Sequence, residues 1–391
     1  MKTNYNGTIR ACMTGYIVQA IVNSFAPLLF VTFGREFGIS MQKITMLVTI
    51  NFGLQLIIDL CSAGFIDKIG YRISTIAAHF FAAAGIILMT ILPQVVPDPF
   101  IGLMIAVMIY AVGGGLIEVL ISPIVEACPT EHKEKTMSLL HSFYCWGCVA
   151  VVLISTVFFS IFGISNWRIL ALIWSLLPII NAFVFMKVPI RSLGSEDEEG
   201  MTVIGLLKSK IFWIFAILML CAGASEQAVS QWASAFAEKG LNVEKSIGDL
   251  AGPMFFSVMM GLSRTIYGRF GHKIDFNRFM LGSTLLCILS YLVISISPIP
   301  ALSLLGCGIC GFSVGIMWPG VYSKSAEKIK NGGTAMFALL ALAGDLGCSG
   351  GPAVVGFVSG HFNDSLKIGI FAAIIFPIVF FVSMLKIKGN K

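Results

Sequence analysis

The sequence predicts an all-α membrane protein of about twelve spans, arranged as two six-helix bundles. Three observations carry this. Of 391 residues 57% are hydrophobic and only 12% charged, where a water-soluble domain carries roughly 25% charged residues. The apolar residues also fall into long runs, and about 20 consecutive apolar residues suffice for a helix to cross the hydrocarbon core. Finally, lipid offers the backbone no hydrogen bonds, which leaves helices or a closed barrel. Runs this continuous exclude the short alternating strands of a barrel.

The first six candidate spans cover residues 9–34, 43–64, 73–95, 100–127, 136–162 and 166–188. The second six cover 210–237, 249–268, 276–297, 301–325, 333–360 and 366–387. Between the two sets lies a hydrophilic stretch, 189–209, centred on Ser195-Glu196-Asp197-Glu198-Glu199-Gly200. An acidic run of this kind reads as a solvated linker. The domain expectation is therefore a bundle over 1–188, a cytoplasmic linker over 189–209 and a bundle over 210–391. Two six-span halves imply an internal duplication with a solute site between the repeats.

Charge sets the orientation. With the N-terminus inside, the cytoplasmic segments hold most of the 26 Lys and Arg. The outer loops hold Arg35, Lys43, Arg168, Lys239, Lys245 and Lys367. The bias places both termini in the cytoplasm of a plasma or inner membrane. The formal charge of +6 is thus a topology signal, and no basic face remains to bind nucleic acid. The N-terminal stretch has no small-residue cleavage site after its first apolar run, so no removable signal peptide is expected. The ten Cys lie almost wholly in spans. Cys307-x-x-Cys310 sits in a Gly-rich apolar helix and reads as packing rather than redox or metal chemistry.

Polar side chains recur at helical spacing along the spans. Span one carries Gln19 and Asn23, with Pro27 beyond. Span two carries Asn51, Gln55 and Asp59, each four apart and so on one face. The stripe must point into the protein or a watery path; Asp59 is a candidate proton site or sodium ligand, or a member of a structural hydrogen-bond stripe. Span four carries Glu118, about 15 Å from the cytoplasmic end of its helix. An ionised carboxylate at that depth costs several kcal/mol, so it is protonated, paired or facing water, and it marks function by default. A neutral Glu bonding a neighbouring helix is the plainer alternative.

Span five opens with His141 and Trp146. Span seven offers Glu226 with Ser230, and Gln227 with Gln231. Span ten offers Trp318 and Tyr322, and span eleven offers Asp345. Amides and carboxylates beside aromatic rings suit a sugar, because polar groups bond its hydroxyls and rings cover its C–H faces. Arg264, near the cytoplasmic end of span eight, is expected to snorkel. With no base at the midplane, phosphates and dicarboxylates are disfavoured as solutes.

Between spans two and three the chain reads Gly64-Phe65-Ile66-Asp67-Lys68-Ile69-Gly70-Tyr71-Arg72. A helix is expected to end here in a tight cytoplasmic turn whose Asp67, Lys68 and Arg72 latch onto neighbouring helix ends. The stretch resembles the G-x-x-x-D-[RK]-x-G-[RK]-[RK] loop of the major facilitator superfamily, one residue shorter before the acid. A degraded echo follows span eight as Gly268-Arg269-Phe270-Gly271-His272-Lys273. The resemblance implies the major facilitator fold and makes Gly64, Asp67, Lys68, Gly70 and Arg72 a gating loop.

A narrower resemblance lies in Gly115-Leu116-Ile117-Glu118 before Pro123, and in His141-Ser142-Phe143 opening span five. Both are similar to the fucose permease branch of fucose–hexose–proton symporters. That resemblance implies that Glu118 is the proton-linked group. Where the branch has an Asp four residues before the span-one Pro, this chain has Asn23, which removes one titratable group.

The function expected is proton-coupled symport of a neutral sugar or similar polar small solute by alternating access, with sodium as the other candidate coupling ion. The protein is expected to work as a monomer in the bilayer. The alternative is a proton-coupled exporter of cationic drugs or other amphiphiles. Such exporters carry G-x-x-x-G-P-x-x-G-G in span five, and Trp146-Gly147-Cys148-Val149-Ala150 does not match it. The five His show no metal-ligand spacing, and no nucleophile lies beside a base, so neither enzyme nor cofactor is expected.

Overall fold

The apolar runs fold as helices, and proline accounts for three places where a span is interrupted. A computed structural model describes residues 4–191, 201–233, 245–362 and 365–389. In chain order the helices are α1 (Asn6–Ser24), α2 (Phe30–Phe37), α3 (Met41–Ile69), α4 (Tyr71–Val95), α5 (Pro99–Ala127), α6 (Lys133–Phe162), α7 (Trp167–Lys187) and α8 (Val203–Lys208). There follow α9 (Lys210–Ser230), α10 (Lys245–Phe270), α11 (Phe276–Ile296), α12 (Pro300–Val314), α13 (Met317–Lys328), α14 (Gly333–His361), α15 (Leu366–Ala373) and α16 (Ile375–Gly389).

Spans one, ten and twelve were expected to be continuous, and each is broken. Pro27, Pro319 and Pro377 have no N–H to give the carbonyls of Asn23, Gly315 and Ala373 four residues earlier. At Pro27 the chain tightens into a 3₁₀ turn, Ala26–Leu29, with Leu28 N–H donating to the Phe25 carbonyl at 3.1 Å. Between α12 and α13 two residues, Gly315 and Ile316, leave the helix, and between α15 and α16 one, Ile374. At Pro93, Pro123, Pro178 and Pro352 the helix continues, as membrane helices tolerate.

The loop expected over Gly64–Arg72 is also corrected. Residues Gly64–Ile69 are the last turn and a half of α3, and Tyr71 already begins α4. One residue, Gly70 at φ 89° and ψ 145°, makes the whole connection. A side chain is strained in that region of backbone space, which is why glycine stands there.

By contact the chain divides into two compact units. Unit 1 comprises Met1–Pro129, Trp146–Val203 and Gly333–Ala338; unit 2 comprises Thr130–Cys145, Ile204–Gly332 and Leu339–Lys391. In unit 1, α5 packs against α4, α3 and α1, and α4 packs also against α7. In unit 2, α12 packs against α10 and α11, and α9 against α12, α13 and α16. Small residues let these helices approach where lipid supplies no hydrophobic force. A Cβ on Gly113 would stand 2.5 Å from the Ala82 backbone nitrogen, and one on Gly347 would land on the Leu220 carbonyl.

The faces turned away from these contacts are apolar. Ile73 is 63% exposed, Val95 73% and Phe357 71%, a surface that only lipid covers without penalty. Among the described residues eleven helices are long and apolar enough to cross a membrane. The span expected at 249–268 is α10, which has 26 residues and lies outside that group.

Candidate functional site

The three glycines Gly113, Gly114 and Gly115 build the first cluster, in unit 1. Successive helical residues point about 100° apart, so the three face three different helices. Gly113 meets α4 at Ala82, Gly114 meets α1 at Val22 and α3 at Gln55, and Gly115 meets α3 at Ile58. Glu118 stands one turn beyond Gly114 and therefore faces α1. There Gln19 donates from Nε2 to Glu118 Oε2 at 2.7 Å.

One turn further along α1, Asn23 Oδ1 accepts from Gln55 Nε2 at 3.0 Å and from Asn51 Nδ2 at 3.3 Å. Gln55 Nε2 also donates to Asn51 Oδ1 at 3.0 Å. Gln19, Asn51 and Gln55 are buried, and Asp59, the next member of the α3 stripe, is fully buried. Five of the expected residues thus meet in two hydrogen-bonded groups one turn of α1 apart, Gln19 with Glu118 and Asn23 with Asn51 and Gln55. Trp146 also belongs to unit 1. It lies next to Gly147, where α6 touches α1 at Ile17 and Ala20.

The expected gating residues separate. Arg72 reaches the C-terminal end of α7: Nη1 donates to the carbonyls of Phe185 at 2.7 Å and Met186 at 2.8 Å, and Nη2 to that of Val188 at 2.9 Å. A guanidinium suits the unpaired carbonyls at a helix C-terminus. Gly64 and Lys68 are exposed, and the Asp67 side chain lies outside the described residues, as does the acidic core of the linker.

The second cluster lies in unit 2, and its organiser is Arg264. This arginine was expected to snorkel; instead it is 4% exposed and turned inward. The cause is visible in the backbone. Pro319 leaves the Gly315 carbonyl without its helical donor, and Arg264 Nε donates to it at 2.8 Å. Nη1 donates to the His141 carbonyl at 3.2 Å and to Cys145 Sγ at 3.1 Å. Nη2 faces Glu226 Oε2 at 3.6 Å.

Around this centre the His141 ring lies 5.8 Å from that of Tyr322, and Tyr322 meets Trp318 edge to face at 6.4 Å. Trp318 is pressed on Gly344, where a Cβ would overlap its ring. Gln227 Nε2 donates to Glu226 Oε1 at 3.4 Å, and Ser230 Oγ donates to Gln227 Oε1 at 3.2 Å. Gln231, expected beside them, is exposed. Asp345 follows Gly344 on α14 and is half-buried.

Two features went unread in the sequence. Arg264 and Cys145 join the second cluster, for which Pro319 was the available signal. In unit 1 the fully buried His79 links α4 to α7 and α1. Its Nδ1 donates to the Thr75 carbonyl at 2.8 Å. Its Nε2 accepts at 2.9 Å from Asn181 Nδ2, which also reaches the Ala11 carbonyl at 3.0 Å. A lone buried His gives no advance sign of which amide will satisfy it.

Long apolar helices in two units, each burying a polar cluster, define a polytopic α-helical protein of the multi-pass membrane class. The chain belongs to the Major Facilitator Superfamily, whose family model matches residues 12–352. No curated relative matches the sequence. Among solved structures the chain is similar to a variant of the E. coli fucose:proton symporter FucP, with 14% identity, a TM-score of 0.82 and 98% of each chain covered. It is also similar to the proton:xylose symporter XylE, with 12% identity, a TM-score of 0.77, and 98% and 95% covered. The human organic anion transporter MFSD10 matches with 14% identity, a TM-score of 0.75, and 98% and 100% covered. At these identities the likeness establishes the fold alone.

Proposed function

We propose that this protein is a proton-coupled symporter of a neutral sugar or similar polar small solute, working by alternating access. Its bundles are 1–188 and 210–391, joined by a cytoplasmic linker at 189–209, with both termini in the cytoplasm of the cell membrane. The carrying observation is Glu118, a carboxylate inside a span whose Oε2 is held by the Gln19 amide at 2.7 Å. An amide donor serves the ionised carboxylate, and it can turn its oxygen to a protonated one. That makes the pair suited to reversible loading of a proton. Asp59 is the second candidate for that role.

The solute would be bound by the amides of Gln19, Asn23, Asn51 and Gln55 in unit 1. In unit 2 the candidate contacts are Glu226 and Gln227, with the rings of His141, Trp318 and Tyr322; Trp146, Gln231 and Asp345 are further candidates. Amide donors and acceptors in this number match a polyhydroxylated molecule. Both FucP and XylE, by their descriptions, are sugar symporters driven by protons, which supports the same reading. Gly64, Asp67, Lys68, Gly70 and Arg72, at the junction of α3 and α4, would serve as the gating segment.

The test is uptake of a labelled sugar panel into proteoliposomes under an imposed inward proton gradient, with a sodium gradient as the second arm. Accumulation driven by protons alone is the expected result. Accumulation driven by sodium would reassign the coupling ion. No accumulation under either gradient, together with proton-driven extrusion of cationic amphiphiles, would replace the symporter reading with an exporter.

A further inference from the structure

We propose that His79 is a positioning residue for proton coupling: held neutral, it fixes the stretch of α1 that carries Gln19 to Glu118. This rests on the reading above in which Glu118 takes the proton. All the residues concerned belong to unit 1. Ala11, Gly15 and Gln19 are each four apart and share one face of α1. At Ala11 the carbonyl accepts from Asn181 Nδ2 of α7 at 3.0 Å. At Gly15 a Cβ would stand 2.8 Å from Ile121 Cδ1 of α5 and 3.7 Å from His79 Nε2 of α4. One turn on, Gln19 Nε2 donates to Glu118 Oε2 at 2.7 Å.

The partners fix where the hydrogens are. The Thr75 carbonyl can only accept, so His79 Nδ1 carries a hydrogen in their 2.8 Å contact. Asn181 Nδ2 has two hydrogens; one goes to Ala11, and the other points at His79 Nε2, 2.9 Å away. Nε2 is therefore the acceptor, and the ring is the neutral Nδ1–H tautomer. A proton added at Nε2 would set two donors face to face. Asn181 could accept it only by turning its oxygen to the ring, which would carry Nδ2 away from the Ala11 carbonyl.

The surroundings hold the ring in that state. It is fully buried, and it meets Thr75 on its own helix, Asn181 and Phe185 from α7, and Gly15 from α1. None of these is charged, and a buried cation without a counter-charge is strongly disfavoured. Titratable groups on the neighbouring helices are directed to other partners. On α5, Tyr110 meets Gly85 and Glu118 meets Gln19. On α1, Tyr16 bonds Ser122. On α3, Asp59 continues the stripe that meets α1 at Asn23. Arg72, nearly two turns back on α4, holds the carbonyls at the end of α7.

The two buried groups thus divide their roles. The Gln19 amide can serve either state of Glu118, whereas Asn181 can serve only neutral His79 without releasing α1. Ala11 lies about 12 Å along α1 from Gln19. A slip of α1 by about 1 Å would stretch the 2.7 Å Gln19–Glu118 bond beyond hydrogen-bonding range.

The experiment measures the pH dependence of proton-driven uptake of labelled fucose, xylose and glucose in proteoliposomes. Wild type, His79→Gln, His79→Leu and Asn181→Leu are compared, with the unfolding temperature of each. His79→Gln has a side-chain oxygen that accepts from Asn181 without titrating, and it is expected to keep the wild-type profile. His79→Leu and Asn181→Leu are expected to displace the profile by about one pH unit, in the same direction as Gln19→Leu. In a Gln19→Leu background His79→Leu is expected to add nothing, because its effect passes through Gln19. Nitrogen NMR of histidine-labelled wild type is expected to show His79 as the neutral Nδ1–H form across about pH 5–8. Where His79→Leu fails to fold, Asn181→Leu and the wild-type imidazole signal decide.

A His79 that serves packing alone would lower the unfolding temperature when replaced and leave the pH profile in place. That result, a displacement additive with that of Gln19→Leu, or an imidazole that titrates in this range would overturn the proposal and leave the symporter reading standing. If wild type accumulates no sugar under any gradient, the symporter reading falls and takes this one with it.

Discussion

Gln19 and Arg72 show how much one side chain decides. Gln19 is the amide that holds Glu118 Oε2, and a hydrogen bond to a charged group contributes about 1.5–3 kcal/mol. Gln19→Leu is expected to slow proton-driven uptake by about tenfold and to shift its pH profile. An unchanged pH profile would mean that Gln19 serves packing only. Arg72 bonds three carbonyls at the end of α7, and Lys cannot span them with the same planar fork. Arg72→Lys is expected to cost about 1–2 kcal/mol of stability, read as a lower unfolding temperature in detergent. A wild-type unfolding temperature would contradict the cap.

Helical spacing made Gln19, Asn23, Asn51 and Gln55 legible as two stripes, and Glu118 stood out by its depth. That the stripes face one another across α1 and α3 was beyond spacing alone. It depends on which face of α5 each glycine of Gly113–Gly115 presents. Arg264 was misread for the opposite reason. Charge and position near a helix end favour snorkelling, and the opposing attraction is a carbonyl that Pro319 leaves unpaired in another span.

Helices in this protein are shaped where a residue cannot follow the regular backbone. Gly70 is the whole connection between α3 and α4, at a positive φ. Gly70→Ala is expected to cost about 1–3 kcal/mol in strain, although a Cβ there meets nothing within 4 Å. A variant as stable as wild type would show that the turn relaxes freely. Gly113→Ala acts by the other route. Its Cβ meets the Ala82 backbone at 2.5 Å, where nothing flexible can yield. It is expected to loosen α4 from α5 and lower the unfolding temperature more than Gly70→Ala does. The reverse order would contradict this account of the contact.

Eleven of the expected spans could be read from apolar length, because lipid demands length above all, and eleven described helices meet that demand. The breaks in spans one, ten and twelve were hidden because hydropathy does not register a missing N–H. The positions of Pro27, Pro319 and Pro377 did contain them. The Gly64–Arg72 loop proved to be mostly helix, since its charges were weighed as solvent-seeking when they sit comfortably on a helix end.

At the scale of the molecule, composition alone separated this chain from soluble proteins, and the chain belongs to the Major Facilitator Superfamily over residues 12–352. Each unit buries its own polar cluster, the first around Glu118 and the second around Arg264. The central claim is that Glu118 carries the proton that drives uptake. The direct measurement is solute accumulation against counterflow exchange in proteoliposomes, for wild type and Glu118→Gln, under one inward proton gradient. The amide is isosteric and cannot ionise, so Glu118→Gln is expected to exchange solute at near wild-type rate while failing to concentrate it. A Glu118→Gln protein that still accumulates solute with the gradient would contradict the claim and move the proton elsewhere.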